Sequence, residues 1–203
     1  MTELDRPCES LSKELVRVQR QIEAIYELEP TPAITPFVRV DAEDAREQLL
    51  VRESSDGVDL VVLLPKSSAQ AFLTQDADAE LDAYLGAIEG ISHFVHLADR
   101  ARTELSTTLL ELELQAEVDK FAILAEAREG KALTRLHRRL YEDVRFLHAS
   151  QTERGQRYRL ANDLAARLWS RLLEPEARAG RRHTLKRFYR ASQAEKISMV
   201  RAA

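Results

Sequence analysis

The chain has 203 residues, of which 44% are apolar and 32% charged, enough for a real core in one domain or two closely packed subdomains. No run approaches the roughly 20 apolar residues that span a bilayer, and the opening Met-Thr-Glu-Leu-Asp-Arg lacks the basic-then-apolar order of a signal peptide, so a cytoplasmic location without membrane contact is the expectation. A single cysteine, Cys8, excludes an internal disulfide and a thiolate metal cluster.

The formal net charge of −4 hides a division: residues 1–129 hold 12 Lys+Arg against 27 Asp+Glu, and residues 130–203 hold 18 against 7. Such a split points to contact between the halves or to a basic surface for an anionic partner. Only 6 of the 30 basic residues are lysine, so part of the arginine excess reflects composition rather than function.

Residues 10–28 read as an amphipathic helix. Leu11, Leu15, Val18, Ile22 and Ile25 are spaced 4, 3, 4 and 3 apart, as coiled-coil a and d positions are. Little more than two heptads are present, so a helix docked on its own domain is favoured over a homodimer zipper through this stripe. Pro30, Pro32 and Pro36 end the helix and make a connector.

Residues 37–40 predict a short strand, and residues 47–53 and 58–64 two better ones, joined by Ser54-Ser55-Asp56-Gly57 as a hairpin loop. The second is apolar on both faces away from the turn, which calls for helices over the sheet. Pro65 stops it, and Ser67 with Gln70 offers a capping box for a short helix through Leu73.

A long helix is expected from Asp78 to about Asp99. Leu81, Tyr84, Leu85, Ile88, Ile91 and Val95 form its apolar arc, with Glu89, His93, His96 and Arg100 together beside it. After a connector, Thr108 and Glu111 have the form of a capping box that opens another helix. Residues 108–124 mix core-like apolarity with many acids. Glu111, Gln115, Asp119, Ala122, Glu126 and Glu129 share one narrow stripe, expected to be the wet face, whereas Glu113, Glu117 and Lys120 fall inside the apolar arc. If the two helices form an antiparallel hairpin, His93 comes level with residues 113–117.

Beyond Gly130 the chain turns basic. Leu133, Leu136, Leu140, Val144 and Leu147 predict one amphipathic helix, and Tyr158, Ala161, Leu164, Leu168, Trp169 and Leu172 another, broken by Pro175. The run Arg181–Arg190 is the densest cationic segment, and Ser192 with Glu195 could cap a last short helix. No internal repeat is present.

The expected fold is α+β: a small antiparallel sheet of two or three strands near the N-terminus, then a predominantly helical bundle. The expected division is 1–75, helix plus sheet, and 76–203, bundle, acidic to about 129 and basic after 130, with one compact domain as the alternative.

Chemistry-bearing motifs are few. There is no Gly-rich phosphate loop, no Gly-x-Ser-x-Gly and no His-Glu-x-x-His, and the chain has only six glycines. The expectation leans away from an enzyme and predicts no cofactor.

Three constellations remain. Glu89, His93, His96, Glu113, Glu117 and Lys120 make a buried polar cluster, expected to be a structural ion network. Within it Glu89, His93, Glu113 and Glu117 are the candidate metal ligands, although bundle metal sites use Glu-x-x-His and a second copy, both lacking here. The same Glu–His pair would also suit general acid–base chemistry. Finally, Arg181, Arg182, Lys186, Arg187 and Arg190 could bind an anion, with Phe188 and Tyr189 as exposed stackers for nucleic acid, while Tyr158 and Trp169 sit at core spacing. A pI of 5.8 opposes a general nucleic-acid binder. The reading that results is an accessory or adaptor protein that binds another protein, through the N-terminal helix and residues 181–190. The alternatives are a nucleic-acid-associated protein using the basic half and a metal-binding bundle enzyme.

Overall fold

A computed structural model describes residues 7–41, 47–54, 57–74, 81–126 and 128–201. Ser55 and Asp56 of the expected hairpin loop, and the Asp78 helix start, lie outside them. By its internal contacts the chain divides into two units: residues 1–24 with 28–106, and residues 25–27 with 107–203. The long helix after the sheet falls in the first unit, where it packs on that sheet.

In the first unit, α1 (Glu9–Tyr26) carries the heptad-like stripe. Leu11, Leu15, Val18 and Ile22 are all buried within the chain, and Ile25 is half-buried. Gln19, fully buried, fixes the proline connector to α1. Its amide nitrogen donates to Thr31 Oγ1 (2.8 Å) and the Pro32 carbonyl (2.9 Å), and its oxygen accepts from the Ile34 N–H (3.0 Å). A buried amide is tolerated only with its polar atoms matched in this way.

After a 3-10 turn at Thr35–Phe37 come β1 (Val38–Asp41), β2 (Gln48–Ser54) and β3 (Gly57–Pro65). The order in the sheet is β1-β3-β2. β2 and β3 form the expected antiparallel hairpin, with Leu50 opposite Val61. β1 lies parallel to β3, with Val38 opposite Val62, so the sheet is mixed rather than wholly antiparallel. The apolar run of β3 places it at the centre, where Val62, Leu63 and Leu64 are buried. α2 (Lys66–Thr74) and α3 (Leu81–Arg102) pack against the sheet and each other.

The second unit is helical: α4 (Leu109–Ala125), α5 (Lys131–Tyr141), α6 (Glu153–Leu172), a 3-10 turn at Pro175–Ala177, α7 (Arg181–Arg190) and α8 (Gln193–Arg201). α4 is central, packed on α6 and α5. Phe121 of α4 meets Trp169 at 4.4 Å between ring centroids and Tyr141 at 6.0 Å.

The Thr108–Glu111 capping box is formed in full. α5 stops at Tyr141 instead of running to Leu147, which is 70% exposed. Its last apolar contact is Tyr141, whose hydroxyl donates to the Glu117 carbonyl of α4 (2.9 Å). Together the units make an α+β protein: a three-stranded mixed sheet at residues 38–65 and a body of eight helices among the described residues. None of these helices is long and apolar enough to cross a membrane.

Candidate functional site

Helix α3 places Glu89 and His93 one turn apart on one face. Residue 47, just ahead of β2, brings a third group to that face. Ligand-type atoms of Glu47, Glu89 and His93 all lie within 4.8 Å of one another, His93 buried and both carboxylates half-buried. His93 Nδ1 is 3.9 Å from Glu47 Oε1.

Gly90 stands against this glutamate. A Cβ there would lie 3.0 Å from Glu47 Cγ, Glu47 Oε1 and Val62 Cγ1, a tight contact that asks these side chains to shift by a few tenths of an ångström. Two carboxylates beside an imidazole can do two things. They can share a proton with the ring as an ion-paired trio, or they can hold a cation. Glu89 and His93 were legible from helical spacing. Glu47 was not, because it comes from a segment about forty residues away and no local pattern ties it to α3.

The rest of the expected polar cluster is divided between the units: His96, with Glu89 and His93, belongs to the first, and Glu113, Glu117 and Lys120 to the second. His96 is fully buried on α3. Lys120 Nζ donates to Glu117 Oε1 at 2.8 Å, both side chains largely buried, and Glu113 lies 3.6 Å from Arg157 Nε of α6. These pairs match a structural ion network inside the second unit.

The supposed wet face of α4 is where the sequence reading fails. Glu111, Gln115 and Asp119 are buried, while Leu109 is 60% exposed; only Glu126 and Glu129 of the acids on that stripe are exposed. The stripe is covered by residues 25–27 and by α8. Asp119 Oδ1 accepts from the Tyr26 hydroxyl and from Gln115 Nε2 (2.9 Å). Gln115 Nε2 is also 3.0 Å from the Tyr26 hydroxyl oxygen, and its own oxygen accepts from Lys196 Nζ (2.9 Å). Lys196, fully buried, lies 5.2 Å from the centre of the Phe188 ring, a cation–π contact. Burial, and then the charge of Asp119, push the Tyr26 hydroxyl well above its ordinary pKa.

The basic segment is a second correction. On α7, Phe188 and Tyr189 are buried rather than exposed, Tyr189 stacked on Tyr26 at 4.5 Å, so neither is available to stack on bases. Lys186 Nζ donates to Glu27 Oε2 (2.7 Å), Arg182 lies 3.4 Å from the same carboxylate, and Arg181 Nε donates to the Leu172 carbonyl (2.7 Å). Arg187 and Arg190 are exposed. Tyr158 is half-buried and Trp169 buried, its Nε1 donating to the Val118 carbonyl (3.2 Å). Across the described residues of this unit, 20 Lys+Arg stand against 14 Asp+Glu, so it is still net basic, though less so than residues 130–203 taken alone.

Among the described residues, apolar side chains are also exposed on β2. β2 is an edge strand, and Leu50 and Val51, on its opposite faces, are 49% and 46% exposed. No protein-family model, curated protein or solved structure matches the chain.

Proposed function

We propose that the protein acts as an accessory or adaptor that binds another protein chain, and that the contact element is the outer edge of β2. The observation that carries the reading is the exposure of Leu50 and Val51 on a strand paired only with β3 among the described residues. A strand edge of this kind offers unpaired main-chain groups that an extended segment of another chain can satisfy, with apolar side chains to grip it. The elements favoured from sequence are less open to a partner. The α1 stripe is buried, and the α7 run has sunk its aromatics and set two of its cations on Glu27.

The test is affinity purification with mass spectrometry, comparing the wild type with Leu50→Lys and Val51→Lys. Both positions are half-exposed, so each change should move stability by about 0.5–1 kcal/mol at most. A charge on the strand edge should remove the captured partner. Recovery of the bait alone from the wild type, or an unchanged partner with both variants, would count against the reading.

A further inference from the structure

We infer that Glu47, Glu89 and His93 form a binding site for one divalent transition-metal ion of the zinc or manganese class. The three ligand-type atoms already lie within 4.8 Å of one another. Ligands about 2.0–2.2 Å from a common ion are about 3–3.5 Å apart, so small side-chain movements close the set. The donor chemistry selects the class of ion. Calcium and magnesium favour all-oxygen shells, whereas an imidazole with two carboxylates suits zinc, manganese or ferrous iron; copper(I) would ask for thiolate or thioether.

Three protein ligands leave coordination positions open, which water or a small anionic ligand would fill. The half-burial of Glu47 and Glu89 leaves a route for the ion, while burial of His93 fixes the ring between helix and sheet.

Gly90 adds to the fit. Glycine inside a helix costs about 1 kcal/mol relative to alanine, and here a Cβ would crowd Glu47 Cγ and Oε1 at 3.0 Å, so the glutamate would have to give by a few tenths of an ångström. The site lies in the first unit and does not depend on the adaptor reading. An ion held there ties the root of β2 to α3.

The competing arrangement is a metal-free trio in which a protonated His93 sits between the two carboxylates. Titration calorimetry on the full-length, untagged, chelator-treated protein separates the two, using zinc and manganese, with cobalt absorption as a spectroscopic check. One equivalent of metal should bind, and cobalt should give visible bands of a nitrogen-and-oxygen-ligated ion. His93→Ala and Glu89→Gln should each weaken binding by more than tenfold, and Gly90→Ala by about tenfold through displacement of Glu47. His183→Ala, at an exposed histidine of α7, should change nothing. Circular dichroism reports whether each variant folds. Should His93→Ala fail to fold, Glu89→Gln decides, since Glu89 is only half-buried. No stoichiometric binding by the wild type, or undiminished binding by a folded Glu89→Gln, would overturn the assignment.

Discussion

Asp119, at 1% exposure, holds the Tyr26 hydroxyl and the Gln115 amide, and Gln115 in turn holds Lys196. Removing that carboxylate leaves buried donors unmatched, so Asp119→Ala should lower the unfolding free energy by about 3 kcal/mol, and Asp119→Asn, which keeps one acceptor, by less. Glu117→Ala should cost a similar amount, about 3 kcal/mol, by removing the carboxylate that accepts from buried Lys120. Denaturant titration of the four proteins checks both; changes within about 0.5 kcal/mol would mean these groups are solvated.

Glu23 adds a pH-dependent contribution. Burial alone would raise its pKa, but hydrogen bonds from Thr31 Oγ1 (2.7 Å), the Thr31 N–H (3.0 Å) and Gln19 Nε2 (3.0 Å), with Arg20 alongside, outweigh it and hold the carboxyl below 4.5. With the folded value depressed, its stabilisation is complete above about pH 4.5 and is lost as pH falls through the folded pKa. Glu23→Gln should therefore lower stability at neutral pH and flatten its decline in acid. Urea unfolding at several pH values measures this, and an unchanged acid slope would contradict it.

Residue roles were only partly legible in the sequence. Helical spacing correctly placed Glu113 and Lys120 in a buried arc, but assigned Gln115 and Asp119 to water. Spacing sees one helix at a time, and their partners, Tyr26 and Lys196, lie 93 and 81 residues away along the chain. Lys196, a lone lysine amid the last helix, could not be recognised as buried without them.

Among the elements, those with strong local chemistry were readable. Thr108 and Glu111 open α4 with a reciprocal cap, the Thr108 hydroxyl accepting the Glu111 N–H (3.1 Å) and Glu111 Oε2 accepting the Thr108 N–H (2.8 Å). Thr108→Ala should cost about 1 kcal/mol. At the start of α8 the Glu195 carboxylate accepts from the Ser192 N–H and hydroxyl, both at 2.8 Å, one half of the box expected there, and the β2–β3 hairpin follows from its alternating apolar runs.

What was misread is the end of α5 and the direction of β1. The apolar spacing runs past Tyr141, but the chain there turns instead into the start of α6. That turn depends on Gly155, where a Cβ would stand 1.9 Å from the Ala149 carbonyl oxygen. The obstacle is backbone and cannot rotate aside, so Gly155→Ala should destabilise by about 2–3 kcal/mol, measurable by thermal or urea unfolding. A neutral effect would mean the 142–152 segment adopts another path. The parallel placement of β1 depends on pairing across the sheet, which no local pattern encodes.

At the scale of the whole molecule, the charge division seen in sequence is softened by where the units divide. α4 and its acids join the basic helices, so the described residues of the second unit carry 20 Lys+Arg against 14 Asp+Glu. The protein should accordingly bind mixed RNA or DNA only weakly at low salt and not at all at about 0.15 M. Tight, steeply salt-dependent binding in a gel-shift or anisotropy assay would restore the nucleic-acid reading. The α+β class and the soundest helices were visible beforehand.

The claim that matters most is that a partner chain meets the first unit at β2 rather than the second at α7. Site-specific photocrosslinking tests it directly, with a photoreactive residue placed in turn at position 50 on β2 and at position 187 on α7. The account predicts a discrete adduct with another protein from position 50 and none from position 187; adducts from position 187 alone, or from neither, would contradict it.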